Sequence, residues 1–460
     1  MTSSITTMVR FPVSQTIRAF ARRFFEQGFQ LYIVGGAVRD FLLGRKITDY
    51  DFATDAVPEQ VIDMFSTVIP TGMKHGTVTV RFHGESYEVT TFRIEGDYHD
   101  RRHPESVTFI RSLEQDLSRR DFTVNALAAD AADGTIIDLH EGLQDLQKGL
   151  IRAIGDPVQR FEEDALRIVR ACRFACQLHF SVDSATLSAM SALADSLSHI
   201  SGERLKIELF KMLEADRPSI GLELMKSCRA VEILFPELHH CIGVEQKGMH
   251  RHDVWYHSIY ACDAAPIHKP LVRLAALLHD IGKPVVVQHH ENERPTFYHH
   301  DSVSVAIARS ILTRLKCSND ERDTVLNLVA NHMFHYDGQW SDGAVRRFVG
   351  RVTVDALEDL FDLRLADQIA TTGSRNSAAI LEFKERIRLV LESGNALTVK
   401  DLEVNGNDLA QLGIPKGPAM GTVLQELLET ILDDPKQNTK ERLSEIAVQF
   451  YRQRIQINKS

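Results

Sequence analysis

The stretch Leu31–Phe52, LYIVGGAVRDFLLGRKITDYDF, places an apolar run, a glycine pair, an arginine and two aspartates within 22 residues. Leu31 to Val34 suits a short buried strand, and it breaks at Gly35-Gly36, where a backbone without Cβ atoms can approach a ligand closely. A helix is expected from Ala37 to Leu43, its first turn offering amide N–H groups to a phosphate and Arg39 adding a charged donor fork. The next strand should carry Asp49 and Asp51, whose i, i+2 spacing puts both carboxylates on one face. Two acids so placed repel unless a cation lies between them, and magnesium, which takes oxygen ligands and bridges to phosphates, suits the pair. Taken singly, a Gly-Gly turn and an Asp-Tyr-Asp on the surface are ordinary features; the combination in this order is specific.

The flanking residues extend an α/β pattern. Ile17, Phe20, Ala21 and Phe24 stand at helical spacing before the strand, and Thr54 to Phe65, with Pro58 early, reads as a short helix. Gly76–Phe82 and Ser86–Phe92 alternate about His83-Gly84-Glu85, which predicts a hairpin. Glu88 on its second strand either joins the acidic cluster or faces solvent. Residues 95 to 105, EGDYHDRRHPE, carry Arg101 and Arg102 and read as a polar loop. In Ser112 to Ala128, Arg119, Arg120 and Asp121 precede an apolar run; Asp121 can cap or accept a sugar hydroxyl while an arginine meets phosphate. Gly134 to Asp138 should close a small mixed sheet.

From Ile151 the pattern turns helical. After Phe161, Asp164, Arg167 and Arg170 follow at i+3 along one expected helix, with Arg173 further round. Such a face is ordinarily a solvated salt-bridge ladder. A carboxylate and a guanidinium one turn apart can also accept from the exocyclic amino group of cytosine or adenine and donate to the neighbouring ring nitrogen, a pattern that guanine and uracil reverse. Ser201 is the expected cap of a further helix. Thirteen of the twenty histidines lie between His239 and His335. His279-Asp280 ends an apolar helix, with His257 before it and His300, His332 and Asp367 after it, a donor set suited to a transition metal. In the last segment Gly413, Pro415, Gly417, Pro418 and Gly421 form a turn before an amphipathic helix near Val423–Leu432.

At 460 residues the chain should hold several domains, and 43% hydrophobic with 25% charged residues is a globular composition. A formal charge of −10 excludes a generally basic surface, so nucleic acid would need local patches. Six cysteines without a CxxC pair, and no apolar run near 18 residues, lead to the expectation of a cytoplasmic enzyme with reduced thiols and no membrane contact.

The glycine pair, Arg39, the DYD, the SRRDFTVNALA string and EDALR at Glu163–Arg167 together resemble the class II tRNA nucleotidyltransferase and poly(A) polymerase family, over about residues 25 to 215. The resemblance implies an α+β protein: a nucleotidyltransferase head (1–150), a helical neck (151–215), a helical body (216–397) and a helical tail (398–460) that touches RNA. It implies addition of C and A from CTP and ATP to a tRNA 3′ end, with Asp49 and Asp51 holding Mg2+ and Glu88 beside them. It assigns the triphosphate to Gly36 and Arg39, the sugar to Arg120 and Asp121, the base to Asp164 and Arg167, further phosphate or structural contacts to Arg170 and Arg173, and support to Glu203 and Arg204. A loop like 95–105 helps family members pass from C to A addition and is short in those that add only C. HDIGKP, at His279–Pro284, with His257 and Asp367, resembles the HD phosphohydrolase superfamily. That resemblance implies a divalent metal on His257, His279, Asp280 and Asp367, and a second on His300 and His332. A poly(A) polymerase or A-only enzyme on the same core, a chain whose main activity is the HD phosphohydrolase, and an HD half that is only an RNA-binding scaffold are the alternatives.

Overall fold

Ser14 accepts a hydrogen bond from the Ile17 amide at 3.1 Å and starts helix α1 (Gln15–Phe25), which buries Ile17, Phe20, Ala21 and Phe24. The structure, a computed structural model, describes residues 9–95, 107–246, 251–290, 293–375, 378–392 and 396–456. The polar loop expected at 95–105 falls almost wholly outside the described residues. Two compact units divide the chain, Met1–His239 and His240–Ser460.

In the first unit the chain runs through β1 (Leu31–Val34), α2 (Gly36–Leu42), β2 (Asp51–Thr54), α3 (Pro58–Met64), β3 (Val68–Gly72), β4 (Thr77–Phe82) and β5 (Glu85–Thr91). A small antiparallel pair, β6 (Arg93–Glu95) and β7 (Val107–Phe109), precedes α4 (Leu113–Ser118), β8 (Leu127–Asp130) and β9 (Ile136–Asp138). Seven strands make one mixed sheet in the order β3-β4-β5-β2-β1-β8-β9. Within it only β2 and β5 pair in parallel, and their register sets Asp51 opposite Glu88. The hairpin forms as its alternation predicts, Phe82 pairing with Glu85 across His83 and Gly84, both at positive φ.

One sheet face is covered by α1. Phe20 there packs its ring 5.2 Å from Phe52 and 4.8 Å from Tyr87, centroid to centroid, and is fully buried. On the other face Val34, Ala53, Phe92, Leu117, Ala126, Ala128 and Ile154 form a second cluster. Burying both faces fixes the register, because a one-residue slip would exchange the two sets of side chains.

The helical part of this unit comprises α5 (Gly142–Lys148), α6 (Pro157–Glu163), α7 (Leu166–Leu178), α8 (Ser184–Ala192), α9 (Gly202–Leu213), α10 (Pro218–Ser227), α11 (Ala230–Leu234) and α12 (Pro236–His239). Two expectations need correction. The helix expected to run from Phe161 through Arg173 is broken at Asp164, whose backbone is extended (φ −149°, ψ 102°) and whose Oδ1 accepts from the Leu166 amide at 3.1 Å. The aspartate uses its side chain to start α7 instead of continuing α6. Ser201 does precede α9, but its hydroxyl makes no capping hydrogen bond.

Among its described residues the second unit forms helices and one short antiparallel pair, Gln288–His290 with Glu293–Thr296. Its helices are α13 (Val254–Ala264), α14 (Pro270–Leu278), α15 (Lys283–Val286), α16 (His300–Arg314), α17 (Asn319–Asn331), α18 (Asp342–Val352), α19 (Leu357–Thr372), α20 (Ala378–Glu392), α21 (Gly406–Gln411), α22 (Pro418–Asp433) and α23 (Lys440–Phe450). Pro418 and Gly421 lie inside α22, so the turn before it ends at Gly417, not at Gly421. Among the described residues no helix is long and apolar enough to cross a membrane, and no disulfide joins the six cysteines.

Candidate functional site

Gly35 ends β1 with φ +69°, a conformation that side chains with a Cβ rarely adopt, and a Cβ there would stand 3.4 Å from Arg120 Nη1. This turn aims α2 at a cavity of about 830 Å³. The helix is only two turns long, so the positive charge at its start comes chiefly from Arg39. That guanidinium is fixed by Asp40 Oδ1 (2.9 Å) and Asn125 Oδ1 (2.6 Å) and lies over the Phe174 ring.

Of the residues assigned from sequence to the nucleotide site of head and neck, Gly36, Arg39, Asp51, Glu88, Arg120, Asp121, Asp164, Arg167, Arg170 and Arg173 all line this cavity, and Asp49 does not. Strand β2 begins at Asp51, leaving Asp49 on the loop before it, so the two aspartates do not share a strand face. The parallel β2–β5 register also brings Glu88 beside Asp51. Both side chains reach solvent, yet both carboxyls titrate above their usual range. For Asp51, burial against the cavity wall raises the pKa, Arg120 opposes it and Asp49 adds to it. For Glu88, burial and then the Asp51 charge raise it. A divalent cation fits these acids because it would relieve both effects. The three carboxylates are not drawn within 4.8 Å of one another: among the described residues, groups that close occur only in the second unit.

Asp164 Oδ2 accepts from Arg204 Nη2 at 2.7 Å. Arg167, almost buried, donates from Nη1 to Glu163 Oε2 (2.6 Å) and the Arg160 carbonyl (3.0 Å), and from Nη2 to the Arg119 carbonyl (3.1 Å). Donor and acceptor are thus each held by a protein partner at the cavity wall. Asp121 is buried, and Arg170 donates to its Oδ2 from Nε (2.9 Å) and Nη2 (2.6 Å). Burial alone would raise the Asp121 pKa, but the Arg170 charge and its hydrogen bonds outweigh it and hold the group at about 2.

Several contributors escaped the reading of the sequence. Asp116, 1% exposed, anchors Arg119 (2.8 Å) and Arg120 (3.2 Å). Phe174 lies under Arg39, Arg170 and Arg173. Its position four residues after Arg170 was the available signal. Asn125 stands inside the quoted SRRDFTVNALA string but carried no charge to attract notice. In all, nine arginine and lysine side chains line the cavity against four carboxylates, in a chain whose formal charge is −10.

The histidine-rich half brings its six candidates together. His279, His300 and His332 each direct Nδ1 to a backbone carbonyl three residues back, of Ala276 (2.8 Å), Phe297 (2.8 Å) and Val329 (2.7 Å). This places the ring proton on Nδ1 and turns the Nε2 lone pair inward. His300 and His332 then face each other Nε2 to Nε2 at 3.3 Å, two lone pairs that repel without a cation between them. His257 and His279 also approach each other Nε2 to Nε2, at 3.1 Å. Asp280 serves both pairs: Oδ2 lies 3.4 Å from His257 and 3.2 Å from His279, and Oδ1 lies 3.2 Å from His300 and 3.7 Å from His332. Asp367 Oδ1 is 3.2 Å from His257. Burial lowers the His332 pKa to about 4, which keeps it neutral and able to ligate. Lys283 Nζ donates to Asp280 Oδ2 at 2.5 Å, a partner the sequence did not suggest. A cavity of about 330 Å³ opens beside Asp367, with Arg364, His335 and Tyr336 in its wall.

A parallel-and-antiparallel head bearing adjacent acids, beside an arginine-lined cavity, defines a nucleotidyltransferase. Residues 31–152 match the Poly A polymerase head domain, 179–242 the "Probable RNA and SrmB- binding site of polymerase A", and 287–447 a tRNA nucleotidyltransferase domain 2. The CCA-adding enzyme of Levilactobacillus brevis is 34% identical over 94% of this chain and 95% of its own length, and that of Latilactobacillus sakei 37% over 91% and 94%. The crystal structure of the Bacillus stearothermophilus CCA-adding enzyme in complex with CTP superposes with a TM-score of 0.72 at 30% identity, over 96% of this chain and 98% of that one. The chain belongs to the family of CCA-adding enzymes.

Proposed function

We propose that this chain adds C and A residues from CTP and ATP to the 3′ end of tRNA, choosing each base with its own side chains. The observation that carries this reading is the single cavity holding the Asp51–Glu88 pair, a cationic wall, and Asp164 with Arg167. Family membership supports it, as does the CTP bound to the Bacillus relative.

In this mechanism Arg39, with the Gly36 backbone, holds the triphosphate. Arg120 and Asp121 take the sugar, with Arg170 and Arg173 behind them. Asp164 accepts from the amino group of cytosine or adenine and Arg167 donates to the adjacent ring nitrogen; uracil and guanine would set donor against donor and acceptor against acceptor. The tRNA 3′-hydroxyl attacks the α-phosphate in line and pyrophosphate leaves. Asp51 and Glu88, with Asp49 on the preceding loop, would hold divalent ions, and the all-oxygen donor set favours magnesium. Bound there, the ions supply activation of the hydroxyl and neutralisation of the departing charge. A tRNA substrate and cysteines without disulfides favour a cytoplasmic protein.

The imidazole pairs facing each other favour a second activity in the other unit. His257, His279, Asp280 and Asp367 would hold one divalent ion and His300 and His332, sharing Asp280, another, as a phosphohydrolase centre. The adjoining cavity with Arg364 is where an ester phosphate would enter.

The test is incorporation of each nucleotide alone into tRNA transcripts ending before CCA, after C and after CC. Addition of C to the first two and of A to the third is expected. A additions alone, or a long A tail on any RNA, would replace this reading with an A-only enzyme or a poly(A) polymerase.

A further inference from the structure

Glu208 is 4% exposed on α9, and no step given above uses it. Its Oε2 accepts from Arg173 Nε at 2.5 Å, and its Oε1 lies 3.4 Å from Arg170 Nη1. Arg170 in turn places two hydrogen bonds on Asp121 Oδ2, while Asp121 Oδ1 accepts from the Phe122 amide (2.8 Å) and Asn125 Nδ2 (3.2 Å). A carboxylate offers about four acceptor positions, and all of those on Asp121 are in use. A sugar hydroxyl can therefore bind Asp121 only where Arg170 yields a hydrogen bond. Glu208 Oε1, 3.4 Å from Nη1 on the far side of the same guanidinium, is the acceptor towards which Arg170 can shift as it yields.

We propose that Glu208 is a positioning residue for the sugar: it holds Arg170 between itself and Asp121, so that Asp121 can exchange a guanidinium hydrogen bond for a ribose hydroxyl while Arg173 stays fixed against Phe174. The inference rests on the reading of Asp121 as the sugar contact. Its consequence is that preference for ribonucleotides over 2′-deoxyribonucleotides depends on a side chain that touches no nucleotide.

The experiment uses the full chain, tRNA ending in CC, and ATP against 2′-dATP. Glu208→Gln keeps the shape but faces the arginines with an amide N–H in place of one acceptor. It should raise the KM for ATP about tenfold and cut the ribose preference by a similar factor, with kcat within about twofold and the tRNA KM unchanged. Should Glu208→Gln fail to melt cooperatively, Arg170→Lys, which leaves Glu208 charged but cannot bridge the two acids as a fork, is expected to lose the same preference. Wild-type KM and ribose preference in the folded variant, with only the melting temperature lowered, would reduce Glu208 to a buried ion pair and overturn the inference. Asp121→Asn separates the two levels. Loss of ribose preference there with none in Glu208→Gln overturns the role of Glu208 alone; full preference in Asp121→Asn overturns the sugar reading and the inference with it.

Discussion

Asp51 and Glu88 stand side by side across the parallel β2–β5 pairing, and the Asp51 charge adds to burial in raising the Glu88 carboxyl towards its protonated form. Replacing either by its amide removes the charge that would hold a cation while keeping the shape. Asp51→Asn should lower single-turnover addition by at least about a hundredfold, and Glu88→Gln should also slow it, with nucleotide binding changed much less. Rapid-quench assays beside equilibrium binding of CTP would check this; addition near the wild-type rate in Asp51→Asn excludes the metal assignment.

The cap that Asp164 provides and the base contact proposed for it can be separated. Asp164→Ala should relax discrimination against UTP and GTP and also destabilise α7 by about 1 kcal/mol, the usual value of a lost N-cap. Arg204→Met removes the 2.7 Å restraint on the carboxylate but leaves the cap, so it should weaken discrimination with little effect on melting. Unaltered nucleotide choice in both variants would return the pair to a surface salt bridge.

Asp121 gives a pH dependence of definite sign. Its folded pKa of about 2 lies below the ordinary carboxylate value, so the group stabilises the fold above pH 4 and loses that contribution as pH falls through about 2. Wild type should exceed Asp121→Asn by an amount on the order of 2 kcal/mol, constant between pH 7 and about 5 and shrinking below about 4. Denaturant titrations of both proteins at a series of pH values would show it, and a gap that widens on acidification would contradict the Arg170 pairing.

For the second unit the expectation is two divalent ions per chain. His300→Ala should remove one ion and Asp280→Asn both, while C and A addition by the head continues. Elemental analysis of the purified variants reads the outcome directly. Equal metal content in wild type and Asp280→Asn would exclude the site.

Much of this was legible because the signals are local. The alternation of Thr77–Phe82 and Glu85–Thr91 fixes a hairpin through neighbours in sequence, and the apolar spacing of Ile17, Phe20 and Phe24 fixes α1 in the same way. Where pairing is made through space, the pattern was silent. That Glu88 stands beside Asp51 depends on a parallel register between strands separated by α3 and the β3–β4 hairpin. The break at Asp164 was hidden because no glycine or proline marks it; a charged side chain turning back on the next amide does the work of a breaker. The imidazoles could be named from their number and from the His-Asp pair, but the lone-pair-to-lone-pair approach of His300 and His332 follows from Nδ1 contacts to Phe297 and Val329, which no spacing encodes.

The cap at Asp164 also narrows how this protein could change its taste in nucleotides over generations. A mutation at 164 must keep an acceptor for the Leu166 amide or loosen the first turn of α7, on which Arg167 and Arg170 ride. Serine and threonine keep the cap but are too short to span to a base. Asparagine keeps it with its carbonyl oxygen and, in place of the oxygen that Arg204 now holds, turns an amide N–H outward, which releases Arg204 and reverses the polarity offered to the base. The route to a new specificity that leaves the helix whole therefore runs through asparagine, towards bases that present an acceptor where cytosine and adenine present a donor.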